Sequence, residues 1–166
     1  MVTRGKKPRP SGTPALVALD AAGVEYAVHE YVHDPRSDVG FGMESAAKLG
    51  VEPRRVFKTL MADVDGRLVC AVVAASGHLD LKALAGALNA KRAQMADAAG
   101  AERATGYVVG GISPLGHKTP HATVIDDSAR QFATILVSAG RRGLSVELAP
   151  ADVARLTAGG FAPIGC

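Results

Sequence analysis

Residues 56–75 constrain the fold more than any other stretch. Val56 to Val64 is a nearly unbroken apolar run, Asp65-Gly66 follows, and Leu68 to Ala75 runs back with the same character. Asp-Gly between two apolar runs marks a tight hairpin, because both central residues of the favoured two-residue turn need positive φ. Neither run alternates apolar with polar, so both faces of this hairpin need cover and it belongs at the centre of a sheet. Aromatic residues make up only 4% of the chain and there is no Trp, so that cover must come from Ala, Val, Leu and Ile. With 166 residues, 48% of them hydrophobic, one domain has enough apolar material for a core.

The remaining elements follow from local punctuation. Thr13-Pro14 opens a helix, since Thr caps well and Pro suits the first helical position, and Gly23 closes it. Val24 to Val32 alternates, with Val24, Tyr26, Val28 and Val32 on one face, and reads as a strand ended by Asp34-Pro35. Residues 36–42 form a loop and Met43 to Leu49 a short helix stopped by Gly50. Asp80 caps a helix to about Leu88, and Asp97 caps another through about Ala104, closed by Gly106. Tyr107 to Val109, Thr123 to Ile125, Thr134 to Val137 and Leu144 to Leu148 read as strands, and Pro150 begins a last helix ending near Gly159. Hairpins and irregularly mixed elements predict an α+β fold with a mixed, mainly antiparallel sheet and helices packed around it.

The formal charge of +3 is unevenly placed. Arg4, Lys6, Lys7 and Arg9 lie in residues 1–12 with no acid; removing these four from 19 basic residues leaves 15 against 16 acidic. Residues 1–12 are therefore expected to be a disordered basic tail, Pro- and Gly-rich, lending weak attraction to phosphates, and residues 13–166 a near-neutral domain. Cys70 and Cys166 are the only cysteines and form no C-x-x-C pair, which points to a reducing compartment. No apolar h-region follows the basic start and no run of about 18 apolar residues occurs, so the expectation is a cytoplasmic protein with no membrane partner.

His29-Glu30-Tyr31-Val32-His33 matches H-E-x-x-H, but that zinc pattern works only on a helix, where positions i and i+4 share a face. On a strand the two imidazoles would lie roughly 13 Å apart, at about 3.3 Å per residue, too far for one ion. No metal site and no cofactor are expected.

Three features resist a purely structural role. Lys58 sits in a strand apolar on both faces, and a lysine there is either held near an anion or carbonyl or reaches solvent with its long stem. Gly110-Gly111-Ile112-Ser113-Pro114-Leu115-Gly116 follows an apolar run and either lets backbone N–H groups approach a ligand or makes a tight turn; it matches no dinucleotide or Walker spacing. Ser138 to Gly143 joins two strands with small and basic residues, as a pocket wall or a solvated hairpin loop. Cys70 lies among Val, Ala and Leu as an inert core thiol, and no Ser-His-Asp or Cys-His pairing is evident.

These blocks, namely Phe57-Lys58-Thr59-Leu60, Met95-Ala96-Asp97, Thr105 to Gly116, His29-Glu30-Tyr31 with His33-Asp34-Pro35, and Ser138 to Leu144, resemble the YbaK/EbsC family in order and spacing across residues 13–164. That family is similar to the editing domain inserted in bacterial prolyl-tRNA synthetases. The resemblance implies a mixed, partly barrel-like sheet with surrounding helices and a pocket over it. It implies Lys58 as the key pocket residue flanked by Thr59, with Gly110 and Gly111 beside them as catalytic backbone. Tyr31, Phe41, Ser113, Pro114, Ser138 and Gly140 are the implied substrate-binding positions. His117 stands where the family carries a polar amide, and Thr119-Pro120-His121 replaces a more basic stretch.

The activity implied is removal of a wrong amino acid from tRNA, cysteine on proline tRNA foremost, in which the substrate's own thiol attacks its ester. Prolyl-tRNA synthetase is the implied protein partner. The alternatives are an alanyl-tRNA(Pro) editor that uses water, and a non-catalytic module that binds tRNA or a synthetase.

Overall fold

The computed structural model describes residues 12–166; the basic tail expected over residues 1–12 lies outside them except for Gly12. Among the described residues there are five α-helices, and eight strands form two sheets. The central hairpin is β2 (Phe57–Val64) with β3 (Arg67–Ala74), paired antiparallel from Phe57↔Ala74 to Val64↔Arg67. Asp65 and Gly66 turn it at φ 50° and 87°, as the dipeptide predicts. β4 (Ala93–Met95) joins the free side of β2 only at Ala62–Val64, while β5 (Ala122–Asp126) and β8 (Gly160–Ala162) add in parallel beyond β3. The second sheet has the order β1 (Ala27–Glu30), β7 (Leu144–Leu148), β6 (Ile135–Arg141), all antiparallel. A parallel bridge between Val56 and Leu136 links the two sheets, which do not close into a barrel.

The main core lies between the sheets. Phe57 and Met61 of β2, Cys70 and Val72 of β3 and Ile125 of β5 pack with Ile135, Val137, Leu144, Val146 and Leu148 of the second sheet. Leu16 and Leu19 of α1 (Pro14–Ala22) and Val153 of α5 (Pro150–Thr157) complete it. The opposite face of β2 and β3, with Ala62, Val64, Val69, Ala71 and Val73, packs on Leu84 of α3 (Leu81–Ala87) and on Ile164. Burial on both faces is why the hairpin sequence does not alternate. Each large aliphatic side chain so buried contributes about 1.5–3 kcal/mol.

The helix caps stand where the sequence puts them. Thr13 Oγ1 accepts from Leu16 N, Asp80 from Ala83 N and Asp97 from Gly100 N, and Gly23, Gly50 and Gly106 end their helices in the left-handed region. α2 (Phe41–Leu49) starts two residues earlier than predicted, taking Phe41 and Gly42 into its first turn. α4 is Ala98–Thr105.

Three expectations need correction, and two strands are not foreseen. The strand read over Val24 to Val32 is paired only at Ala27–Glu30, and Val32 is 85% exposed, because the chain turns away toward α2 and Lys48 Nζ takes the Val32 carbonyl. Tyr107 to Val109 is no strand. Tyr107 turns inward to donate its hydroxyl to Leu115 O at 2.7 Å, Val109 N donates to the Glu102 carboxylate and Val109 O accepts from Arg142, so side chains take the groups a ladder would use. Ser138 to Arg141 are not loop: they continue β6 through a register shift between Ser138 and Arg141, and only Arg142-Gly143 turns. β4 and β8, three residues each, carry too little pattern to be read from the sequence.

Candidate active site

A cavity of about 350 Å³ opens between the two sheets at the uncovered edge of β2. That edge is open because the pairing with β4 ends at Ala62, and beyond the Ala96 N–H donated to Met61 O no described strand pairs with residues 58–60 on that side. Backbone groups of alternate residues point to opposite sides of a strand. Met61 directs its carbonyl to the β4 side, so Thr59, two residues earlier, presents its N–H and C=O to the cavity. Because the cavity wraps this edge, residues from both faces of β2 line it: Phe57, Thr59 and Met61 from one, Lys58 and Leu60 from the other.

The Lys58 ammonium donates to Gly77 O at 2.8 Å. Among the described residues no carboxylate pairs with it, and burial alone lowers its pKa from the usual lysine value. An ammonium has three donors, so two remain for a ligand. Thr59 Oγ1 is buried without any hydrogen-bond partner. An orphaned buried hydroxyl costs about 1–3 kcal/mol, and a ligand in the cavity would relieve it.

The opposite wall comes from α2 and the second sheet. Tyr31 is fixed through its backbone N–H, which donates to Gly143 O at 2.9 Å. Burial, and next the Glu44 carboxylate, raise the Tyr31 pKa, so the phenol stays protonated. Phe41 lies flat on Gly110: a Cβ on that glycine, at φ 91°, would sit 2.6 Å from the ring. The Arg142 guanidinium stacks on the same ring, 5.0 Å from its centroid. Ser138 Oγ accepts from Gly140 N at 3.2 Å and keeps its own proton for a ligand.

The predicted residues therefore separate. Tyr31, Phe41, Lys58, Thr59, Gly110 and Ser138 line the cavity. Gly111, Ser113, Pro114 and Gly140 stand behind the wall. Ser113 is fully buried and its Oγ accepts from Leu115 N at 3.2 Å. A Cβ on Gly111 would meet the Arg141 backbone at 2.8 Å, and one on Gly140 would meet Tyr107 at 2.9 Å and Thr13 at 3.0 Å. These glycines let the 110–116 loop, α1 and the β6 bulge close on one another.

The sequence does not reveal Ser45 and Ser145, whose hydroxyls lie 3.4 Å apart in the wall, nor the lining by Met95, Ile112 and Leu144. Small hydroxyls inside a helix and a strand carry no local signal. His29 and His33 turn to different carboxylates, Glu147 at 2.9 Å and Glu44 at 2.7 Å. Cys70 is wholly buried away from the cavity, its thiol pKa pushed up to about 12 by burial.

Residues 42–156 match the family described as the aminoacyl-tRNA editing domain. The chain belongs to that family. A relative from Enterococcus faecalis (strain ATCC 700802 / V583), carrying the name Cys-tRNA(Pro)/Cys-tRNA(Cys) deacylase EbsC, is 38% identical over 162 residues, 96% of each chain. Among solved structures, one described as a trans-editing enzyme for prolyl tRNA synthetase superposes with a TM-score of 0.82 at 21% identity, covering 95% of this chain and 98% of the other. Another, described as hypothetical protein APE2540, gives 0.82 at 21% over 92% and 99%. At those identities the structures establish that the fold is shared. For an editing domain, the cavity has a telling chemistry: it offers donors and an apolar wall, but among the described residues no nucleophile with a base beside it.

Proposed function

We propose that this editing domain is a trans-acting deacylase that removes cysteine from mischarged proline tRNA. The observation that carries the reading is the cavity itself, with an ammonium that has no carboxylate partner among the described residues, an orphaned Thr59 hydroxyl and no nucleophile–base pair among the described lining residues. The name borne by the E. faecalis relative supports the same substrate.

An aminoacyl ester is already activated, and cysteine carries its own thiol, a strong nucleophile once ionised. In the proposed step the substrate sulfur bonds to its own ester carbonyl, the ester C–O bond breaks, and a cyclic thioester leaves. The thiol proton ends on the ribose oxygen of the tRNA. The protein then has to fold the aminoacyl group for attack and stabilise the oxyanion. Lys58 and the Thr59 and Gly110 backbone hold the carbonyl oxygen or the ribose end. Tyr31, Phe41 and Ser138 confine the side chain. One methylene discriminates by only about 1–3 kcal/mol in a pocket, so a reaction that requires the substrate's thiol excludes alanine and proline more sharply than size does.

Prolyl-tRNA synthetase is the proposed partner, since a near-neutral domain attracts tRNA weakly by itself. No described helix is long and apolar enough to cross a membrane. The test is a deacylation panel of Cys-, Ala- and Ser-charged proline tRNA, with and without that synthetase. Preference for the cysteine form is expected, lost in Lys58→Ala while the fold survives. Undiminished turnover by Lys58→Ala would remove the ammonium from the mechanism, and preference for Ala-tRNA(Pro) would favour a water-using editor. Cys70→Ser should retain activity in the same assay; its complete loss in a folded protein would point to an enzymic thiol.

A further inference from the structure

The Gly110–Gly116 loop pairs with no described strand, yet its Gly110 and Ile112 wall the cavity. Side chains hold it: Glu102 and Arg142 take Val109, Tyr107 takes Leu115 O, and His117 takes the carbonyl of Ser113. The last of these belongs to a pair. His117 Nε2 lies 2.7 Å from Ser113 O and its Nδ1 lies 2.9 Å from Nδ1 of His121.

The protons in this pair are fixed by chemistry. A carbonyl oxygen only accepts, so His117 carries its hydrogen on Nε2 and, when neutral, a bare Nδ1. The contact between the two Nδ1 atoms then requires His121 to donate from Nδ1, leaving its Nε2 bare, 3.5 Å from Thr119 Oγ1. We propose that His117, held in this tautomer by His121, is a positioning residue for deacylation: it grips the Ser113 carbonyl and so fixes the loop that sets Gly110 against the cavity, where the substrate's oxyanion forms.

The inference rests on the function proposed above, but the tautomers can be observed without it. The ring of Tyr107 meets His117 nearly edge-on, at 6.2 Å and 72°. Across the recess that His121 lines stand Asp65 and Arg67, and Lys118 lies between the two imidazoles in sequence. The Asp65 carboxylate already accepts from Lys91 N and Arg92 N, and among the described residues no carboxylate bonds to either imidazole. Burial lowers both imidazole pKa values, which keeps the pair neutral near pH 7. Glutamine can replace His117 as a donor to Ser113 O without titrating, whereas alanine cannot.

The test combines nitrogen-15 NMR of the full chain with kinetics on Cys-tRNA(Pro). Two-bond proton–nitrogen correlations should show His117 protonated at Nε2 and His121 at Nδ1; the reverse assignment for His117 overturns the proposal. His117→Ala should shift the Gly110 and Gly111 amide resonances and lower kcat about tenfold or more with KM little changed, since small misplacements are costly in a pre-oriented site. His117→Gln should keep kcat within about twofold and leave those amides in place. His117→Ala matching the wild type, or His117→Gln as impaired as His117→Ala, overturns it. A wild type inactive on every charged tRNA would reject the functional reading alone, and the tautomers and glycine amides would still decide the clamp.

Discussion

Glu44 is a carboxylate only 3% exposed on the inner side of α2. Burial acts to raise its pKa, but the Asp34 N–H at 2.7 Å, His33 at 2.7 Å and Lys48 at 3.1 Å outweigh it and hold the value at about 2. These bonds tie α2, and with it Phe41 and Ser45, to the segment that carries Tyr31. A folded pKa below the ordinary 4.5 stabilises the fold fully above 4.5, and that contribution is lost as pH falls from 4.5 toward about 2. Denaturant midpoints of the wild type should therefore drop steeply across that window. Glu44→Gln should be less stable at pH 7 and show a flatter acid limb; equal slopes for the two proteins would mean that another carboxylate governs acid unfolding. At this scale the sequence is legible where chemistry clashes with context. Lys58 stands out because a cation sits in an apolar strand. Glu44, Ser45 and Ser145 do not, since a glutamate or a serine in a short amphipathic element is ordinary until its neighbours are known.

Among the elements, the hairpin of β2 and β3 and the capped helices can be read from the chain because their causes are local: an Asp-Gly turn, a side-chain cap, a glycine stop. The segment 107–116 cannot, since its backbone partners are the side chains of Glu102, Arg142 and His117, the last in turn braced by His121. The bulge in β6 is hidden for a related reason, as small residues suit a loop and a kinked strand equally. Two glycines separate these causes experimentally. Gly110 needs its φ of 91° and has Phe41 against its Cα, so Gly110→Ala should displace the ring and lower deacylation at least tenfold. Gly86 lies inside α3, and a methyl group on its Cα would meet nothing within 4 Å, so Gly86→Ala should stabilise by about 0.5–1 kcal/mol with activity unchanged. A melting-temperature and turnover comparison of the two variants checks both, and a Gly110→Ala enzyme of full activity would detach the aromatic contact from the site.

Over the whole molecule, the distribution of charge bears on how an RNA substrate is captured. Seven of the Lys and Arg side chains among the described residues are already paired with carboxylates, at Arg36, Lys48, Arg54, Arg55, Arg130, Arg141 and Arg155. The exposed pairs among them add little stability, but every one of the seven cancels a cation that would otherwise attract phosphate. Arg4, Lys6, Lys7 and Arg9 carry the chain's excess charge free of neighbouring acids in sequence. Each phosphate neutralised on a single-stranded end contributes about −0.7 to the slope of log K against log salt. Tight binding by the domain alone would need many such contacts, and its 15 basic residues stand against 16 acidic ones, so it has no net attraction for phosphate. Neutralising those four residues together should therefore flatten the salt dependence of tRNA binding by up to about 3 in slope, while the single-turnover rate at saturating Cys-tRNA(Pro) stays the same. Added prolyl-tRNA synthetase should lower KM more than it raises kcat if, as proposed, it supplies the tRNA affinity while the cavity supplies the reaction. An unchanged salt slope in the neutralised variant would place the phosphate contacts on the folded domain instead, with Arg142, stacked on the cavity-lining Phe41, the first to examine.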